Sequence, residues 1–244
     1  MRLSRVYSES ALVAGSEVAL PASAANHVAR VLRLREGAPI VAFDGSGNDY
    51  RCEIVAVEGA RVRVLVGDAT AGRRESPLAV TLVQAVSRGE RMDLTLQKAT
   101  ELGVSAVVPV LSIRSVVRLD ERQAAAKLRH WQAVVTSACE QSGRSVLPRV
   151  HAPLDLGRYL AESPRDGLRL VPSPGATESL AGLAGSPAAA ELLVGPEGGF
   201  EESELLAAER AGFKPVRLGP RVLRTETAGI VALAVLQARW GDLR

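Results

Sequence analysis

The sequence predicts a mixed α/β protein in two parts: a small β-rich unit, then a larger unit built on a parallel sheet. Three observations predict it. Up to residue 66, short runs of β-branched residues recur between Gly, Asn and Asp turns. From Leu78 the period changes, and apolar strand-like runs alternate with helical ones. Between the two, residues 67–77 (Gly-Asp-Ala-Thr-Ala-Gly-Arg-Arg-Glu-Ser-Pro) are polar and turn-rich, as an interdomain linker is. A chain of 244 residues is long enough for one or two domains with sizeable cores.

In the first unit, residues 17–20, 39–43, 50–57 and 61–66 read as strands. Apolar and polar residues alternate through Arg61-Val62-Arg63-Val64, so one face of that strand is expected to meet water. Residues 22–34 read as a helix with Val28, Val31, Leu32 and Leu34 turned inward and Arg30 and Arg33 elsewhere. Together these elements predict a small barrel-like unit with one helix and no catalytic grouping. His27 fits base stacking or an ordinary surface position. Arg30, Arg33 and Arg35 fit phosphate contacts or a solvated helix face.

In the second unit, residues 78–86 form an apolar strand. Residues 88–102 follow as a helix striped by Met92, Leu96, Ala99 and Leu102 and stopped by Gly103. Residues 106–111 are the next strand. Residues 120–141 are a long helix with Leu128, Trp131, Val135 and Ala138 on one face, closed by Gly143. Strands at 168–171, 192–194 and 216–218 continue the pattern, with an acidic helical run after residue 200. Residues 229–238, apolar almost all round, predict a final helix buried on all faces. Ligands of such sheets sit outside the carboxyl ends of the strands. Arg114, just past a strand end, is therefore a better candidate than Arg129 in mid-helix. Glu140 and Arg144, four apart, fit a helix salt bridge.

Composition narrows the function. The apolar fraction is 47%, yet no apolar run reaches the roughly 18 residues that span a bilayer. Met1-Arg2-Leu3-Ser4-Arg5 has no apolar stretch behind it, so no secretory leader is expected and the cytoplasm is the expected compartment. Cys52 and Cys139 stand far apart without metal-ligand spacing, so neither a disulfide framework nor a metal is expected. The net charge is +3, and its excess lies in residues 76–166, with 12 basic against 9 acidic side chains. A basic balance of this kind permits nucleic-acid binding without requiring it.

Two apolar runs end in Gly-Pro turns that open into helices: Leu192-Leu193-Val194-Gly195-Pro196-Glu197-Gly198-Gly199 and Leu218-Gly219-Pro220-Arg221-Val222-Leu223-Arg224-Thr225-Glu226-Thr227-Ala228. Strand, glycine turn and helix is the geometry of phosphate loops, but the chemistry differs. No Lys-Ser or Lys-Thr pair follows, and Glu197, Glu201, Glu202 and Glu204 crowd the helix start. Those carboxylates complement the helix dipole and would repel a polyphosphate. A flat or hydroxyl-rich ligand, neutral or cationic, fits better, and a nucleoside carrying a sulfonium is such a ligand. The second turn packs basic, acidic and hydroxyl groups ahead of an apolar helix, so they need partners in a structured loop.

These motifs strongly resemble the RsmE-type 16S ribosomal RNA (uracil-N3)-methyltransferases of the SPOUT superfamily. The resemblance extends to Gln97-Lys98-Ala99-Thr100-Glu101-Leu102-Gly103, Ala138-Cys139-Glu140-Gln141-Ser142-Gly143-Arg144, His27-Val28-Ala29-Arg30-Val31-Leu32-Arg33 and the closing Gly241-Asp242-Leu243, in the expected order along nearly the whole chain. It implies a PUA-like RNA-binding β-barrel over residues 1–72 and a SPOUT α/β methyltransferase domain with a deep trefoil knot over residues 73–244. It further implies a homodimer that uses S-adenosyl-L-methionine to methylate N3 of a uridine of 16S rRNA in the decoding region of the small ribosomal subunit.

Carried over by position, Val194, Gly195, Pro196, Glu197, Gly198 and Gly199 would form one cofactor loop. Leu218, Gly219, Leu223, Arg224, Thr225, Thr227 and Ala228 would form the other. The loop at Pro172-Ser173-Pro174-Gly175 matches the family in position alone. His27, Arg30 and Arg33 match the RNA-facing side of the barrel. Arg114 and Arg224 are the expected stabilisers of charge on the uracil oxygens. Glu226 is a candidate proton acceptor, with a helix-cap or salt-bridge role as the alternative. An RNA-binding assembly factor with a vestigial pocket, or a knotted methyltransferase acting on tRNA or a ribose hydroxyl, is the competing reading.

Overall fold

The structure, a computed structural model, describes residues 3–163 and 167–243. Met1 and Arg2, on which the leader expectation partly rests, lie outside the described residues. The chain divides into two compact units, residues 1–75 with 136–147, and residues 76–135 with 148–244. The sequence placed one boundary at 72/73; the observed division falls at 75/76 and adds a second, distant segment to the first unit.

The first unit is a five-stranded sheet of β1 (Arg5–Tyr7), β2 (Glu17–Ala19), β3 (Pro39–Phe43), β4 (Asn48–Glu58) and β5 (Arg61–Ala71), ordered β1-β3-β4-β5-β2. β1 runs parallel to β3 and the other neighbours are antiparallel. Val62, Val64 and Val66 point into the core with Val6, Val28, Ile40 and Ile54, while Arg61, Arg63 and Leu65 face outward, as the alternation predicts.

Two expectations for this unit need correction, and one strand was missed. β5 continues through Ala71, so the first five residues of the expected linker are strand, held by pairing of Ala69, Thr70 and Ala71 with Tyr50, Asp49 and Asn48. β1, too short to show a period, is seen only through its pairing with β3. The expected helix at 22–34 is regular only over α1 (Ala22–Asn26) and then widens by one residue, with Leu32 N–H donating to the His27 carbonyl at 2.9 Å. A wider turn advances each residue by less than the α-helical 100°. Val31 therefore falls out of phase with Val28 and lies 64% exposed instead of inward.

The last turns of α3 (Glu121–Ser142) belong to this first unit. Glu140 and Arg144 do not pair with each other there. Glu140 accepts the Tyr7 N–H at 2.9 Å, and the buried Arg144 guanidinium meets Glu75 at 2.5 Å. Buried Arg5 forms a two-pronged pair with Asp49 (2.7 and 2.8 Å) and donates to the Arg144 carbonyl at 3.1 Å.

The second unit is a seven-stranded parallel sheet of β6 (Ala79–Ala85), β7 (Ala106–Leu111), β8 (Arg149–Val150), β9 (Leu154–Asp155), β10 (Leu168–Pro172), β11 (Ala189–Val194) and β12 (Lys214–Val216). The order is β12-β10-β11-β6-β7-β8, with β9 also on β7. The central strands read as apolar runs because helices cover both faces. α2 (Glu90–Glu101) and α6 (Thr225–Trp240) pack together on one side. On the other, α4 (Leu156–Glu162) and α5 (Glu202–Arg210) bury Leu156, Tyr159, Leu160 and Ala208 against Val83, Val108 and Leu193.

β8, β9 and α4 escaped the sequence reading because each is short. β12 begins two residues earlier than expected, which leaves Leu218 in a loop. α6 is not buried on all faces: Gly229, Ala232, Leu233 and Leu236 are buried, while Ile230, Val231, Ala234 and Val235 stay partly exposed. A charged pair is built into the sheet, since β10 sets Arg169 opposite Glu191 of β11. The guanidinium donates to Glu191 at 2.7 Å, to Ser163 Oγ and the Ala211 carbonyl at 2.6 Å, and lies 4.3 Å from the Phe213 ring centre. A buried charge persists only with partners of this kind. Among the described residues no helix is long and apolar enough to cross a membrane.

Candidate active site

Because β10 lies between β11 and β12, the loops leaving all three carboxyl ends meet at one place in the second unit. They enclose a cleft of about 540 Å³, with a side cavity of about 80 Å³ that shares Pro172, Ser173, Pro174, Leu223 and Ala228. The two Gly-Pro turns therefore face each other, with the β10 loop between them.

The first turn is short. Gly199 N–H closes onto the Pro196 carbonyl at 2.9 Å, and Gly199 has a φ of +69°, a conformation that favours glycine. Gly195 lies flat against Phe200, whose ring a Cβ at Gly195 would meet at 3.2 Å. Glu197 accepts from Arg91 at 2.9 Å and from the Arg88 N–H. Partial burial acts to raise the Glu197 carboxyl, but hydrogen bonds from its own backbone, Arg91 and Arg88 hold it below its ordinary value.

The acidic cluster after this turn divides its work. Glu201 pairs with both prongs of Arg114 at 2.8 and 3.0 Å, and this hydrogen-bonded partner holds the Glu201 carboxyl low. Glu204 accepts the backbone N–H groups of Glu201 (2.9 Å) and Ile113 (2.8 Å), tying α5 to the loop after β7. Arg114 also donates to the Gly198 carbonyl at 3.0 Å. Arg114 is therefore absent from the cleft lining and braces the turn from outside it. Gly198 faces this brace: a Cβ there would touch Arg114 at 3.4 Å, and Gly198 does not line the cleft.

The second wall is the start of α6. Arg224 is its N-cap residue, exposed, and has no side-chain partner among the described residues. Thr225 Oγ1 donates to the Gly195 carbonyl at 2.5 Å and accepts from buried Gln84 at 3.0 Å. Glu226 is 8% exposed and lines the cleft, and among the described residues its Oε2 has no hydrogen-bond partner.

Of the expected site residues, Val194, Gly195, Pro196, Glu197, Gly199, Leu223, Arg224, Thr225, Glu226 and Ala228 meet at the main cleft, and Leu218 and Gly219 line its side cavity. Thr227, Gly198 and Arg114 do not line either one. His27, Arg30 and Arg33 belong to the first unit, all exposed on and after the widened turn, and Arg33 has a φ of +52°. The sequence reading missed Arg91, Phe200, Leu205 and Val222. Phe200 follows the Gly-Gly pair directly and Val222 lies inside the second turn, so both had a positional signal. Arg91 sits on α2, brought in by β6 and β11 pairing, and had none.

The cleft has apolar walls (Val194, Phe200, Leu205, Leu223, Ala228), an Arg91–Glu197 pair and, among the described residues, a guanidinium (Arg224) and a buried carboxyl oxygen (Glu226 Oε2) without partners. It fits a mixed apolar and polar ligand with a cationic group better than a polyphosphate.

Comparisons with known proteins agree with this arrangement. A family model described as an RNA methyltransferase domain matches residues 74–237, and one described as an RNA methyltransferase PUA domain matches residues 20–67. The class is thus the RNA methyltransferases that join these two domains. A ribosomal RNA small subunit methyltransferase E from Buchnera aphidicola is 31% identical over 242 residues, covering 99% of this chain and 98% of its own. The structure of an enzyme of the same name from Neisseria gonorrhoeae, bound to S-adenosyl methionine, is 40% identical and covers 100% of both chains with a TM-score of 0.95. A Legionella pneumophila structure in complex with the bound cofactor SAM is 37% identical, again over 100% of both chains, with a TM-score of 0.96. The chain belongs to the ribosomal RNA small subunit methyltransferase E family, as its motifs suggested.

Proposed function

We propose that this protein transfers a methyl group from S-adenosyl-L-methionine to N3 of a uridine in the decoding region of 16S rRNA, acting on the small ribosomal subunit. The observation that carries this reading is the cleft: the residues expected at the cofactor converge there from three strand ends, in a chain that matches S-adenosylmethionine-bound relatives from end to end. The cofactor fits the residues present. The volume suits a nucleoside with an amino-acid tail, the apolar walls suit a purine, and the unpartnered Glu226 oxygen suits a cleft that takes up a positive ligand or a proton.

When bound, S-adenosylmethionine supplies a methyl group already activated on a cationic sulfur. The backbone of residues 194–197 and Gly199 and the loop at Leu218, Gly219 and Leu223, with Ala228, would hold it. Pro172, Ser173 and Pro174 complete the third side. Uracil N3 carries a proton in its neutral form, and that proton must leave as the N–CH₃ bond forms and the C–S bond breaks. Glu226 accepts it, while Arg224, whose guanidinium has no partner among the described residues, stabilises the negative charge that spreads onto the uracil oxygens. Arg114 contributes by holding the Gly198 turn and Glu201 in place. Much of the acceleration comes from positioning.

The exposed His27, Arg30 and Arg33 face the RNA. A second copy of the chain covers apolar side chains left open in one copy, Ile113 (57% exposed), Val116 (49%) and Val222 (83%). The trefoil knot and the cytoplasmic location are part of the same reading. The test is methyl transfer from labelled cofactor to small subunits of a strain lacking this gene, with the modified nucleotide mapped. N3-methyluridine at the decoding region is expected. A methylated ribose, or a label confined to tRNA, would overturn the substrate.

A further inference from the structure

One buried polar side chain near the cleft has no place in that reaction. Gln84, on β6, is fully buried. Its Nε2 donates to the Ala85 carbonyl at 3.1 Å and to Thr225 Oγ1 at 3.0 Å. A flipped amide would set Oε1 against the Ala85 carbonyl, two acceptors with no proton between them, and would need the Thr225 proton that Gly195 receives. The direction of the chain is therefore set: Gln84 donates to the Thr225 hydroxyl, and that hydroxyl donates to the Gly195 carbonyl.

This uses up the donor of Thr225. Its hydroxyl proton is spent on Gly195, and one of its lone pairs on Gln84, so the hydroxyl is not a ready donor to a ligand in the cleft. What it does instead is join the two Gly-Pro turns. Gly195 opens the first wall and Thr225 begins α6 at the second, and the link between them is anchored in the middle of the sheet by Gln84. Gln84 keeps a cost of its own: among the described residues its Oε1 has no partner, and it stands beside Gly229 of α6, where a Cβ would approach it to 3.3 Å. An unpaired buried acceptor of this kind is destabilising. An apolar side chain of the same length would fill the space without it, so the amide is there for its donors.

We propose that Gln84 is a positioning residue for the cleft, which through the Thr225 hydroxyl and the Gly195 carbonyl fixes the two cleft walls before a ligand enters. This rests on reading the cleft as the cofactor site. It predicts that Gln84→Met, which keeps length and removes the donors, and Thr225→Val, which keeps shape and removes the hydroxyl, each weaken S-adenosylmethionine binding by roughly three- to tenfold, the reach of one hydrogen bond. The double variant should be no worse than either one, since both cut the same link. Thr225→Ser, which restores the hydroxyl, should recover the affinity.

The experiment is titration of the full chain with S-adenosylmethionine, paired with amide hydrogen exchange on the ligand-free protein. Exchange should quicken in residues 195–200 and 222–228 together in both donor-less variants and return to normal in Thr225→Ser. Unaltered exchange in both segments, or full additivity of the two losses in affinity, overturns the proposal. The exchange comparison decides it even if the unaltered chain fails to bind S-adenosylmethionine, a result that would count against the cofactor reading alone.

Discussion

Glu226 is the residue on which the proposed chemistry turns. It sits in the first turn of α6, lines the cleft, and is mostly buried, with Oε2 lacking a hydrogen-bond partner among the described residues. Glu226→Gln keeps the shape and removes the proton acceptor. We expect the rate of methyl transfer to fall by about 10²-fold or more while cofactor affinity changes little. Equal rates in single-turnover assays would assign Glu226 to the helix start and nothing else. Asp49 carries a stability prediction of the same grain. Partial burial acts to raise its carboxyl, but hydrogen bonds from Arg5 and Ser145 and the charges of Arg5 and Arg74 hold it below its usual value. A carboxyl depressed on folding stabilises the protein above its unfolded pKa, and that contribution is lost as pH falls through the lower, folded value. Stability should therefore decline as the pH drops below about 4. Asp49→Asn should remove this acid dependence and cost about 3 kcal/mol, because Arg5 would be left buried without its charge partner. Denaturant titrations across pH on both proteins measure the two effects.

At the scale of elements, β5 and the widened turn show how neighbours decide what a segment becomes. Residues 67–71 look like a linker by composition, yet β4 offers an unfilled ladder and they complete it. Gly67 makes the close approach feasible: a Cβ there would lie 2.2 Å from the Arg51 carbonyl oxygen, next to the irregularity between Tyr50 and Cys52. Gly67→Val should destabilise the first unit by about 1–3 kcal/mol, read as a lower denaturation midpoint, with cofactor titration of the second unit unaltered. In the widened turn the helical reading of 22–34 holds only as far as Val31, and one extra residue per turn carried Val31 to the surface beside Arg30. The result is an exposed patch in which Arg30 and Arg33, without ion-pair partners among the described residues, flank an apolar side chain.

The whole molecule brings that patch into the functional reading. If Arg30 and Arg33 contact phosphates, binding to small-subunit RNA must weaken with salt, and the slope must report both contacts. Arg30→Ala combined with Arg33→Ala is expected to reduce the logarithmic salt slope by about 2 and to leave S-adenosylmethionine affinity untouched. An unchanged slope in filter binding would make them surface charges only. The cleft, in contrast, owes its existence to strand order. Had β10 followed β12 at the sheet's edge instead of entering between β11 and β12, the two Gly-Pro turns would not share walls with Pro172–Pro174.

Much of this was present in the sequence. Hydrophobic period separated a β-rich unit from an α/β unit, because alternation and helical stripes are local consequences of which side chains must be buried. β3 and β7 matched their expected ends, and the turns at Gly195 and Gly219 were legible because glycine, proline and a following helix leave a short-range signature. The ordered motifs also carried the family. Tertiary structure alone decided the rest. Short strands β1, β8 and β9 exist only because a partner strand completes their hydrogen bonds. Arg114 became a brace rather than a cleft residue because Glu201 lies opposite it, and Arg91 became a cleft residue because β6 pairs with β11. Gln84, unremarkable inside an apolar strand, acquired a role only when folding carried Thr225 141 positions away to its amide. Sequence encodes what one segment needs to bury; which charge, hydroxyl or carbonyl it meets there is a property of the packed chain.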